Sequence, residues 1–219
     1  MKDLSILIAA GVGLYILSRR NKDQEPKKLD DNVPDIGGTD PSEPNTSDAN
    51  DLRAVTAGEL TSGQISAAEA PLVYVTSETI EIIKDIFELE LDLNDVVKEV
   101  LTNKQNYIEG TPESLITDIK NYANELEDCI NSGYNALNTI TPGKALSNQV
   151  ISVFNDVGEC AIKVREEVMY LAGEDGALMS YITPEGFELL EAETGQIMND
   201  FRNTYGGLPE PLGEPAYEN

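Results

Sequence analysis

The sequence predicts an all-α protein: an N-terminal single hydrophobic helix, a disordered linker, and an antiparallel up-and-down helical bundle. Three observations predict it. Residues 4–17 are apolar apart from Ser5, residues 23–70 are polar and rich in Pro, Gly, Ser, Thr, Asp and Asn, and two matching apolar stripes at helical spacing flank Pro142-Gly143. The expected organisation is an anchor over 1–22, a linker over 23–70, an acidic bundle over 71–207, and a flexible Pro-rich acidic tail over 208–219.

Leu4, Ile6, Leu7, Ile8, Val12, Leu14, Tyr15, Ile16 and Leu17 surround a helix on all sides, which favours insertion over lying in an interface. As a helix, residues 4–18 would span roughly 22 Å against the roughly 30 Å hydrocarbon core of a bilayer. Snorkelling of Lys2 at one end and Arg19 and Arg20 at the other makes up the difference. Three readings compete for this segment: a short transmembrane anchor, a buried helix or plug seated on another protein, and a signal peptide. A signal peptide carries its charge before the apolar run, and here Lys2 is offset by Asp3 while Arg19, Arg20 and Lys22 follow. If the segment spans a bilayer, that basic exit places the N-terminus outside and the body in the cytoplasm. Ala9, Ala10, Gly11 and Gly13 offer a small-residue patch for helix packing, without the GxxxG spacing.

Of the 15 basic and 40 acidic residues, only Asp3 of the acidic set lies in the first 22 positions, so the body is strongly negative. Such a body repels nucleic-acid phosphate, and no nucleic-acid partner is expected for it. There is no His and no Trp, which removes imidazole bases, Ser-His and Cys-His pairs and the usual zinc sites.

The linker lacks the large apolar residues needed to offset ordering entropy. Thr76-Ser77-Glu78 then reads as a helix start. Ile80, Ile83 and Phe87, followed by Leu93, Val96, Val97, Val100 and Leu101, keep helical spacing, but the alternation at 89–93 interrupts it. Two segments, 77–91 and 94–105, are expected, with a break near Asp92 to Asn94.

Thr111-Pro112-Glu113 signals the next helix, with Thr111 as N-cap and Pro112 at its first position. Its stripe is Leu115, Ile119, Tyr122, Leu126, Cys129, Gly133, Leu137 and Ile140; beyond Thr141-Pro142-Gly143 it is matched by Leu146, Val150, Val153, Val157, Cys160, Val164, Val168 and Leu171. A hairpin folded at the turn pairs Leu137 with Val150, Ile130 with Val157, Leu126 with Ala161 and Ile119 with Val168. The expected hairpin core is therefore Ile119, Leu126, Ile130, Leu137, Val150, Val157, Val164 and Val168. The second helix should end at Glu174-Asp175-Gly176, and Thr183-Pro184-Glu185 should start a last one that stops at Gly206-Gly207. Heptad-like spacing also permits a coiled-coil homo-oligomer, though the short turns favour an intramolecular bundle.

Cys129 and Cys160 fall on neighbouring helices, within reach either as two buried free thiols, the form a reducing cytosol favours, or as a disulfide. Glu88, Glu90, Asp92 and Asp95 do not make an EF-hand, because Val96 and Val97 occupy positions five and six of a loop begun at Asp92. No P-loop, GxGxxG, GxSxG or paired CxxC occurs, and nothing supplies a pocket for a carboxylate dyad, so neither catalysis nor a cofactor or metal is expected.

The N-terminal LIAAGVGLYILSRRNK followed by a long polar linker resembles small membrane-anchored virion proteins of bacteriophages and large DNA viruses. The resemblance covers about 22 of the 219 residues and transfers no site residues. It implies structural work or genome delivery, with the anchor in a bilayer or in a hydrophobic seat on capsid or tail proteins, and the bundle touching structural proteins. The expectation is thus a non-catalytic, membrane-tethered structural or assembly protein. The alternative is a bacterial single-pass adaptor whose acidic bundle binds a basic protein, a contact that salt would weaken.

Overall fold

The computed structural model describes residues 52–172, 177–207 and Leu212. The anchor expected over 1–22 and most of the linker therefore lie outside the described residues. Its elements in order are β1 (Arg53–Ala54), α1 (Ala57–Thr61), a 3-10 turn (Ala70–Leu72), β2 (Val73–Tyr74), α2 (Ser77–Leu101), a second 3-10 turn (Lys104–Asn106), α3 (Glu113–Leu137), α4 (Asn148–Ala172), α5 (Ala177–Tyr181) and α6 (Pro184–Tyr205). The described chain is mostly helical, in agreement with the all-α expectation.

The four long helices run up and down. Asn94 of α2 bonds to Ala123 of α3, and Tyr134 of α3 bonds back to Lys84 of α2, so these two are antiparallel. Across α3 and α4, Glu125 meets Lys163 and Tyr122 meets Glu167. At the far side Thr183 N–H donates to Asn106 O, while the Tyr205 hydroxyl lies near Asp85, which runs α6 back along α2. Phe87 stacks on Phe154 with centroids 6.0 Å apart and tilts against Tyr134 at 5.3 Å, tying α2, α3 and α4 into one core.

All eight residues expected in the hairpin core are buried. The register differs from the expected pairing by about two residues: Cys129 lies across from Cys160, and a side chain on Gly133 would meet Val157. Ile151 and Phe154, absent from the expected stripe, are wholly buried, while Val153 and Cys160 are only half-buried. The cause is that α4 packs against α1 as well as α3, and Phe154 reaches Phe87 of α2, which widens its buried face.

Four other expectations are corrected. The break at Asp92 to Asn94 does not occur, and α2 is one helix. Its core row is Ile80, Ile83, Phe87, Glu90, Asn94, Val97 and Leu101, stepping 3, 4, 3, 4, 3, 4, and every member is buried. Two polar residues in heptad positions hid the period. The expected linker boundary at residue 70 is also too late, because residues 53–74 already form β1, α1, a 3-10 turn and β2. Val55, Leu60 and Ile65 bury their side chains, and a capping box between Thr56 and Glu59 starts α1. Thr111 is not the N-cap of α3: Pro112 holds that position, and the Thr111 hydroxyl donates to Ile108 O. In the tail expected to be flexible over 208–219, Leu212 is fully buried within the core cluster, and the other residues of 208–219 lie outside the described residues.

The helix signals at Thr76 and Thr183 act as expected, each side chain accepting a hydrogen bond from the third residue on. Gly206 ends α6 in the left-handed conformation at φ 75°.

Candidate functional site

The two helix-hairpin ends of the bundle differ in character. One end gathers the start of α2, the end of α3, the start of α4 and both short strands. Here β2 is the centre of a small backbone array. β1 pairs with one edge in parallel, Arg53 against Val73 and Ala54 against Tyr74. On the other edge Gly143 N–H donates to Val75 O and Leu146 N–H to Val73 O, at 2.9 Å each. Gly143 adopts φ 72°, the conformation that lets the turn close against the strand. The described chain thus begins at the hairpin-turn end of the bundle.

A groove of about 670 Å³ opens at that turn between α3 and α4. Its apolar side consists of Ala136, Ile140, Leu146, Val150 and Val153, and its polar side includes Ser132, Asn135, Thr141, Lys144 and Gln149. No carboxylate lines it. Residues 129–155, between Asp128 and Asp156, contain no Asp or Glu at all, in a chain that has 40. Lys144 is exposed and has no ion pair among the described residues, whereas Arg53, Lys84, Lys98, Lys104 and Lys163 are all paired. Reading the local charge along the chain would have found this acid-free stretch; the overall balance conceals it.

Halfway along the α3–α4 hairpin a disulfide joins Cys129 and Cys160, with Cα atoms 6.6 Å apart. Of the two states open for this pair, the structure contains the bonded one. The adjacent α2–α3 interface holds two buried polar side chains that sequence reasoning did not single out as core. Glu90 is 1% exposed and Asn94 is wholly buried. Asn94 donates Nδ2 to Ala123 O at 2.9 Å, and its Oδ1 has no hydrogen-bond partner among the described residues.

Among the described residues no cluster of three or more Cys, Asp or Glu side chains is arranged to hold a metal ion. Glu88, Glu90, Asp92 and Asp95 are strung along α2, with Glu90 turned inward and Asp92 and Asp95 outward. Tyr107 and Tyr134 are both pushed well above the ordinary phenol range, chiefly by burial. Each hydroxyl donates to a helix carbonyl, Leu101 O and Lys84 O respectively, which is structural work. Among the described residues no helix is long and apolar enough to cross a membrane, and Leu4 to Arg20 lie outside them.

The class that fold and site define is a disulfide-stapled, acidic helical bundle with an acid-free turn at one end. Comparisons with protein-family models, with curated proteins and with solved structures find no match to this chain.

Proposed function

We propose that this chain is a non-catalytic, membrane-tethered structural or assembly protein, and specifically a virion component with a minor structural or genome-delivery role. Residues 4–17 act as the tether, in a bilayer or in a hydrophobic seat on another virion protein, and the bundle is the working body. The observation that carries the reading is polarity of attachment: the described chain begins at the hairpin-turn end of the bundle, so a tether would grip one end and present the other.

The disulfide supports a virion over the alternative of a cytoplasmic adaptor for a basic partner. Such bonds persist on virion and cell surfaces and are rare in a reducing mesophilic cytosol.

Mass spectrometry of the native particle or complex containing the full chain tests this. Capsid or tail proteins at fixed stoichiometry are the expected companions, and a lone basic cytosolic or membrane partner would replace this reading with the adaptor. Val12→Asp should release the chain from its membrane or seat, because a charge within the apolar run is expensive there. Retention of that variant in the pellet after a carbonate wash would contradict a lipid anchor.

A further inference from the structure

We propose that the groove at the hairpin turn docks the chain's own linker at residues 29–36, with Val33 and Ile36 against its apolar side and Asp35 beside Lys144. The functional consequence rests on the tether reading above, since docking would shorten the tether; the docking itself does not require an anchor.

Chemical fit is the first argument. The groove has an apolar side at Ile140, Leu146 and Val150, a single cation at Lys144, and no carboxylate to repel an acidic segment. The segment Leu29-Asp30-Asp31-Asn32-Val33-Pro34-Asp35-Ile36 supplies the complement: two apolar residues three apart with an acid between them. From residue 29 to 51 there are seven acidic residues and no Lys or Arg. Between Ile36 and Leu52 there is no Val, Leu, Ile, Met or aromatic residue, so Val33 and Ile36 are the large apolar side chains nearest the fold on that side.

Reach is the second argument. β1 and the Gly143 to Leu146 stretch flank β2 on opposite edges, so the point of entry is only about 10 Å from the groove's rim at ordinary strand spacing. Fifteen residues separate Ile36 from Leu52. A coil of that length spans on average roughly 20 Å, which matches the gap and gives an effective concentration on the order of millimolar. Two apolar side chains and one ion pair then suffice for substantial occupancy, and a separate partner lacks that advantage.

Zero-length carbodiimide cross-linking of the full chain in detergent micelles, followed by peptide mapping, tests the proposal. The reagent activates a carboxylate, Lys144 Nζ attacks it, and a urea leaves, so an amide records direct contact. The expected product is an intrachain link from Lys144 to Asp35, or to Asp30 or Asp31 beside it. In Val33→Ser/Ile36→Ser, which alters nothing in the described fold, its yield should drop about tenfold although every carboxylate remains. Absence of the link in the unaltered chain, or an equal yield in the variant, overturns the proposal. So does a link found only in dimers, which would assign the groove to a second copy. Release of the chain by carbonate with the link intact would refute the membrane anchor and leave the docking standing.

Discussion

The Phe87 ring occupies the space in which a side chain on Gly133 would stand. A Cβ built on Gly133 lies 2.7 Å from Phe87 Cζ and 3.2 Å from Val157 Cγ2. This notch lets α2 approach α3 closely while Phe87 also stacks on Phe154. Gly133 falls on the expected stripe for its spacing, but the reason it is glycine lies on two other helices.

Gly133→Ala should therefore destabilise the bundle. Alanine gains about 1 kcal/mol of helix propensity, and displacing a packed aromatic ring costs roughly 1–3 kcal/mol, so a net loss of about 1 kcal/mol is expected. Gly195→Ala on α6 is the matched control, because its Cβ would meet nothing within 4 Å. It should gain about 0.5–1 kcal/mol. Chemical denaturation of both variants checks the pair, and equal shifts would refute the notch.

Reduction of the Cys129–Cys160 bond should lower stability without dissolving the fold. The bond closes a loop across a sequence separation of 31, for which loop entropy amounts to about 3–4 kcal/mol. The denaturation midpoint should drop on adding a thiol, and the double variant Cys129→Ala/Cys160→Ala should show the lower midpoint with or without it. Thiol titration of the unreduced chain in denaturant that finds two free sulfhydryls would contradict the bond.

Asn94→Leu should stabilise the protein by about 1 kcal/mol or more. It removes a buried acceptor with no described partner and costs one neutral hydrogen bond, while keeping the branched four-atom shape of the side chain. Asn94→Ala, which leaves a cavity, should destabilise. Both are read from thermal or denaturant midpoints, and a destabilised Asn94→Leu would mean that the Oδ1 is satisfied by water.

Glu59 supplies a pH signature. Burial raises the pKa of its carboxyl, but hydrogen bonds from Thr56 N–H, the Arg53 guanidinium and the Thr56 hydroxyl together outweigh that and hold it below its ordinary value. A depressed folded-state pKa means the contribution is complete above the ordinary value and disappears as pH falls through the folded one. At neutral pH, Glu59→Gln should therefore lose about 0.5–1 kcal/mol, the side chain being partly exposed. The gap from the unaltered chain should close as pH falls through the folded-state value, below the ordinary glutamate range. A gap constant with pH would dissociate the capping box from its charge.

The sequence by itself determined the helix starts at Thr76 and Thr183, the stop at Gly206, the turn at Pro142-Gly143, and the eight buried residues of the α3–α4 hairpin. Those depend on capping chemistry and a 3.6-residue period, both local. Only the tertiary structure decided that α2 runs unbroken, since Glu90 and Asn94 read as polar interruptions until a core closes over them. It also decided the hairpin register, set where Cys129 meets Cys160, and the order over 52–75, where a few apolar residues suffice because α2 and α4 are there to receive them. The acid-free groove belongs to both. Its composition is written along residues 129–155, but it became a concave site near β1 only when β2 drew the turn against the strand. Contacts between residues distant in sequence carry no local period, so that part of the fold had to be seen in three dimensions.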